Sequence, residues 1–352
     1  MRNLDQYLML FALVWALLLE KGESVFDIKD YGAIAHSDIV SAQFANQNSL
    51  LRAVFDANST TDRERVVKIP KGTYYFMPVE FHDLYNVTII IEGKMIASKS
   101  IVHWPRNTNK YYKDFIYCTR CNQITISGGG KIDGRGYHWW LVCILNDKKY
   151  LENQNYRPHL IHLTQSRNIV IHDIVMKNSA QFHLKMDQCY DAELYNINIK
   201  VNATAQFNLL KKFSLEGVIP LFPLNTDGID PSGARMHIYN LTVLNYDDVV
   251  VPKPQSSGSY GGDCTQDMLV ENCTVILGVG MSVGSVPPHQ GCNCIKNITF
   301  RNVEFIRPLK AIYVKTNPGD HGTGLVQDIT YENMTLDRPI WWAVYIGPQQ
   351  MK

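Results

Sequence analysis

The chain has 352 residues, 45% of them apolar, with 34 Lys and Arg against 33 Asp and Glu and a formal net charge of +1. That length suits one large core-bearing domain, and the even charge balance excludes the basic stripe of a nucleic-acid binder and the charge block of a disordered tail. A polyanionic ligand would have to be met by local Lys and Arg, and nothing in the composition calls for a cofactor.

The N-terminal segment MRNLDQYLMLFALVWALLLEKGES carries Arg2 and then an uncharged apolar run from Tyr7 to Leu19. The run is too short to cross a bilayer but has the length of a secretory h-region. Residues 1–24 are therefore expected to be a signal peptide, with a mature, extracellular chain starting near Val25 and no membrane attachment after cleavage. A buried N-terminal helix is the alternative. The next helical periodicity runs from Ala42 to Ala57, placed to cap the first turn of whatever follows.

Eight cysteines (118, 121, 143, 189, 264, 273, 292 and 294) fit an oxidising compartment, although sequence does not give their pairing. A zinc site from Cys118, Cys121, Cys292 and Cys294 is the competing reading, and no other metal chemistry in the chain supports it. Seven N-x-S/T sequons, at Asn58, Asn86, Asn202, Asn240, Asn272, Asn297 and Asn333, agree with secretion.

After residue 160 one pattern recurs: a short alternating apolar run, a pivot Asn or Asp, then another run. The pivots are Asp173, Asn196, Asn240, Asn272, Asn302 and Asn333, spaced 23, 44, 32, 30 and 31 residues apart. Two short strands per repeat with an Asn at the bend predict a solenoid, with the 44-residue coil carrying an insertion. Parallel strands stacked coil on coil bury Val, Ile and Leu, and the pivot amides can stack as a hydrogen-bonded ladder. The expected fold is all-β, a single-domain right-handed parallel β-helix over residues 25–352. Sequons on repeat strands then have a structural explanation, so only some are expected to carry glycans.

Stacked coils bring residues about one coil apart into contact. Asp227 in NTDGID lies 20 positions before Asp247, whose neighbour Asp248 would face the opposite side of a regular strand unless a turn re-aims it. Together they predict three carboxylates in one groove. Crowded acids raise at least one pKa, leaving a protonated acid beside ionised partners, the arrangement that glycosidic hydrolysis requires. Calcium binding by the same trio is the competing reading, and the site is expected to hold no metal.

The stretches NQITISGGGKIDGRGYHWW (122–140), RPHLIHLTQSRNIVIHDIVMKNSAQFHL (157–184), NTDGIDPSG (225–233) and NYDD (245–248) resemble glycoside hydrolase family 28, the polygalacturonases and related pectin hydrolases. The resemblance runs from about residue 26 to the end. It implies an inverting hydrolase of pectic polysaccharide with Asp247 as general acid, Asp227 and Asp248 activating the water, and Asn225 orienting the cluster. For inversion the carboxyl separation should be about 6.5–9.5 Å.

Two motifs depart from the family pattern. Val279, in GVG, stands where the resemblance implies His, and Tyr313, in YVK, where it implies Arg. Val279 can neither hydrogen-bond nor move a proton, and Tyr313 lacks the fork that grips a carboxylate, so weaker affinity for plain polygalacturonate or a different sugar preference is expected. Lys315 and Lys253 remain as cations for a uronate. Trp342 stands near a sugar-stacking position, with packing of the last coil as its bland alternative. His183 in SAQFHL belongs to a site-proximal motif, with a satisfied structural His as its alternative. The segment QSSGSYGGD (255–263) reads as a mobile rim loop. Family members continue for further coils beyond WWAVYIGPQQ, so a truncated chain, or one that relies on association, is expected, otherwise acting as a monomer. The competing functions are a non-catalytic carbohydrate-binding relative of the same fold, a hydrolase for xylogalacturonan or rhamnogalacturonan, and a β-helical lyase, which would use calcium and an Arg base.

Overall fold

The computed structural model describes residues 24–61, 65–109, 111–146, 157–214, 222–255, 264–287, 292–317 and 323–348. The N-terminal apolar run and the rim segment after Gln255 lie outside the described residues. No helix among the described residues is long and apolar enough to cross a membrane.

The chain winds through three parallel sheets per coil, the parallel β-helix that the repeats predict. In the first sheet, residues 79–82, 116–119, 161–164, 184–187 and 229–231 stack in register. The column continues through Val250 to 281–286, 310–316 and 342–348. The second sheet contains 167–171, 190–195, 234–239, 266–271 and 296–301, and the third 175–177, 198–200, 242–245, 274–277 and 303–306. Alternate side chains point inward, so Ile169 and Ile171 lie over Ala192 and Leu194, then Met236 and Ile238, then Met268 and Val270, in one continuous core.

All six pivots adopt the left-handed backbone conformation, with φ between 48° and 56°. Asn and Asp tolerate it better than other side-chain-bearing residues. Asn196 donates to Asp173 at 3.0 Å, Asn302 to Asn272 at 3.1 Å and Asn333 to Asn302 at 2.8 Å, so the ladder forms as expected. Asn240 joins at 3.3 Å. The sequons Asn240, Asn272 and Asn333 therefore have ladder roles of their own.

Helix α1 (Val40–Ser59) covers the N-terminal end of the core with Ala42, Asn46, Leu50, Ala53, Val54 and Ala57, a single buried face at helical spacing. The long coil holds helix α3 (Thr204–Lys212), which accounts for the 44-residue spacing. Helix α2 (Tyr137–Asn146) contributes Trp140 to a second small cluster with Val201, Ala203 and Tyr246. That cluster braces the turn after residue 245. The zinc reading is overturned, because Cys118 pairs with Cys121 and Cys264 with Cys294. Cys189 and Cys273 are buried free thiols, each pushed up to about 12 by burial.

Candidate active site

The site forms where the third sheet turns into the first. Strand 242–245 ends at Asn245 and the chain bends, which releases Asp247 and Asp248 from strand alternation and lets both reach the same groove as Asp227. One oxygen from each of the three lies within 4.8 Å of the others. Two features hold the turns this close. Gly228 has no Cβ, and one added there would come within 2.3 Å of the Val249 carbonyl oxygen. The buried Asn245 amide donates to the carbonyls of Thr226 at 3.0 Å and Asp248 at 2.7 Å, tying one coil to the next.

The three carboxyls differ in environment. Asp247 accepts from the backbone N–H of Asn225 at 2.8 Å and of Asp248 at 2.9 Å. Burial and then the charge of Asp248 nevertheless raise its carboxyl above the ordinary range. Asp227 is 2% exposed, and one of its oxygens lacks a hydrogen-bond partner. Burial, followed by repulsion from Asp247, Asp230 and Asp248, raises it well above the usual value. For Asp248 burial pushes the same way, but Lys315, Lys253 and the Ser282 hydroxyl outweigh it and hold the carboxylate below the ordinary range. An ionised carboxylate therefore sits beside two that favour the proton, and the trio titrates as a unit. Two ammonium groups already face Asp248, which leaves the cluster poorly suited to calcium.

The expected 6.5–9.5 Å separation is not what the oxygens show. Asp227 comes from the coil preceding that of Asp247 and Asp248, and adjacent strands stack about 4.8 Å apart, so coil spacing sets a shorter distance between side chains on neighbouring turns.

The remaining sequence-derived residues divide. Lys315 contacts Asp248, and Lys253 lies 3.4 Å from Asp230 and 4.0 Å from Asp248. Asn225 orients Asp247 through its backbone, while its side-chain oxygen accepts from Arg157 at 2.9 Å. Trp342 stacks on Trp341 at 4.5 Å and lies 5.8 Å from the Lys310 ammonium, on the same strand column as Lys315. Two expectations are corrected. His183 is fully buried: its Nδ1 donates to the Asp227 carbonyl oxygen at 2.9 Å, and its Nε2 accepts from the Ser179 N–H at 3.2 Å. Burial lowers it to about 4, so it is a neutral strut behind Asp227 rather than a sugar contact. Tyr313 is 5% exposed, with the Lys310 ammonium 3.7 Å over its ring and Tyr345 edge-on at 5.3 Å, so its face is covered rather than open to a sugar.

A family model described as glycosyl hydrolases family 28 matches residues 60–346. The chain belongs to that family. It is 27% identical over 332 residues to a polygalacturonase of Nicotiana tabacum, covering 93% of this chain and 72% of that protein. It is 27% identical to a probable endo-xylogalacturonan hydrolase A of Aspergillus oryzae, covering 81% of this chain and 64% of the relative. A polygalacturonase of Juniperus ashei is 25% identical, and the chain spans 54% of its length. Among solved structures, an endo-xylogalacturonan hydrolase of Aspergillus tubingensis superposes with a TM-score of 0.73 at 22% identity, covering 92% of this chain and 77% of that one, which supports the fold.

Val279, which stands where the family pattern has His, is tied to the coil of Asp247 through its backbone, its N–H donating to the Asp247 carbonyl oxygen at 2.8 Å. Sequence reasoning missed Asp230, Asn245, Ser282 and Arg157. Asn245 and Asp230 stand inside quoted motifs, and the coil spacing that identifies Asp227 would have flagged them. Ser282 carries no comparable signal, and Arg157, although it opens the quoted 157–184 stretch, lies 68 residues from Asn225, so its approach depends on which coils become neighbours.

Proposed function

We propose that this family 28 chain is a secreted glycoside hydrolase that cleaves α-1,4-galacturonosyl linkages of pectin. The observation that carries the reading is the convergence of Asp227, Asp247 and Asp248 in contrasting electrostatic states. Asp247, the most accessible of the three, protonates the leaving oxygen as general acid. Asp248, kept ionised by Lys315, accepts the proton of the attacking water, which Asp227 helps to hold. Lys253, with Lys315 behind it on Asp248, supplies positive charge for a uronate carboxylate, and Trp342 is assigned to stacking on a neighbouring sugar. Inversion is part of the proposal, and the short carboxyl separation makes its stereochemical test informative. Export rests on the N-terminal apolar run, and the chain is taken to act as a monomer.

A second reading, hydrolysis of a substituted backbone such as xylogalacturonan, is favoured by one observation: the position where the family pattern has Arg is a covered Tyr313, which removes a bidentate carboxylate grip. Reducing-end release from polygalacturonate, xylogalacturonan and rhamnogalacturonan, with Asp247→Asn as control, separates the readings. Turnover of polygalacturonate lost in the variant supports the first, and preference for xylogalacturonan the second. Binding without turnover in the parent replaces both with a carbohydrate-binding role. NMR of the first-formed product reads inversion or retention directly.

A further inference from the structure

A fourth carboxyl lies beside the trio. Asp230 alternates with the core-facing Ile229 on the first sheet, so it points away from the core toward the acid cluster; it is 2% exposed, and neither of its oxygens has a well-formed hydrogen bond. A carboxylate so placed is expensive to keep ionised unless a cation compensates it. The charged groups facing it are Lys185 on the preceding coil, Asp227 on its own turn, Asp248 and Lys253 on the following coil, and Lys315 beyond. Its close cation is Lys253 at 3.4 Å, the ammonium that also lies 4.0 Å from Asp248. The Lys253 side chain keeps 30% of its surface exposed, whereas Lys315 is 7% exposed and committed to Asp248. Lys253 thus has two buried anions on one side and a partly solvent-exposed stem.

We propose that Asp230 is a positioning residue that apportions Lys253: ionised, it draws the ammonium back into the acid cluster; protonated, it releases that charge to a carboxylate of the substrate. The inference rests on the reading of the groove as a uronan site. Burial, partly offset by Lys253, moves the Asp230 carboxyl up to about 7, so both states are populated near neutrality. The sign follows. As pH rises through neutrality Asp230 ionises, Lys253 is neutralised locally, and a uronate meets one more negative charge. Affinity for uronic acid oligomers should fall, whereas a neutral oligosaccharide should be indifferent.

The test measures KM and kcat on polygalacturonate against pH, together with equilibrium binding of trigalacturonate by calorimetry, for the parent, Asp230→Asn and Lys253→Gln. The parent dissociation constant should rise about tenfold between about pH 6 and about pH 8, the scale expected for one unit charge gained near the ligand. In Asp230→Asn that rise, and the matching rise in KM, should flatten, while the pH limbs of kcat stay in place because the trio is intact. Lys253→Gln, at a partly exposed side chain, should bind weakly at every pH with the same flat profile, and it keeps the test decisive if Asp230→Asn does not fold. An Asp230→Asn or Lys253→Gln curve that follows the parent overturns the inference, as does a parent that binds no trigalacturonate. Binding that depends on pH in this way without turnover leaves the inference standing and removes the hydrolase reading. Turnover with a flat parent binding curve does the reverse.

Discussion

Replacing Lys315 with Met should move the acidic limb of activity toward neutrality. Its ammonium contacts Asp248, and its side chain is 9% exposed. Two unit charges about 4 Å apart near a protein surface interact by about 4 kcal/mol, equivalent to roughly 3 pKa units. Lys253 remains at 4.0 Å and the Ser282 hydrogen bond persists, so part of the effect is retained. The Asp248 carboxyl is then expected to rise, by less than the full pair interaction. With Lys315 present, the folded-state value lies below the ordinary range and Asp248 stays ionised into acid; without it, burial dominates and the carboxylate is protonated at higher pH. The acidic limb of kcat/KM, followed by reducing-end release, should move up, by less than about 3 pH units, with activity partly restored under mildly alkaline conditions. A uniform loss at all pH values with the limb unmoved would refute the reasoning and assign Lys315 to the substrate alone.

Asp247→Asn should lower kcat by about a thousandfold or more in the same assay, with no loss of melting temperature, because it removes one of three crowded acids. Asn302→Ala should destabilise by about 2–3 kcal/mol in chemical denaturation, since it loses ladder bonds to Asn272 and Asn333 and puts Ala into left-handed backbone. Reducing Cys264–Cys294, which closes a 30-residue separation, should cost about 3–4 kcal/mol by the chain-entropy estimate, read as a lower denaturation midpoint. His183 is lowered to about 4 from an ordinary value of 6.5, so its contribution is intact above the ordinary value and is lost as pH falls toward 4. In His183→Gln the acid decline in melting temperature should be shallower between those values.

The solenoid was legible because its signal is written many times: each pivot from Asp173 to Asn333 repeats the same demand for left-handed backbone and a ladder partner. Asp227, Asp247 and Asp248 were legible because one coil length links them. His183 was misjudged because a polar residue at a strand start can face either way, and only the bonds to Asp227 and Ser179 decide it. Tyr313 was misjudged because its cover comes from Lys310 on its own strand and Tyr345, its register partner on the next coil, and the motif alone does not show how those long side chains fold over the ring. The carboxyl spacing was overestimated for a similar reason: a rule framed around two acids flanking a sugar says nothing of strands stacked at sheet distance.

The pivot ladder has a bearing on how such a chain changes over time. Each amide recognises only its counterpart in the adjoining rung, so a strand displaced by one residue would lose its partners and turn its apolar side chains outward. Lengthening of the chain is therefore tolerated at the turns, as helix α3 illustrates, while the frame holding Asp227, Asp247 and Asp248 keeps its geometry. Substrate preference can drift at the rim without disturbing the acids beneath it.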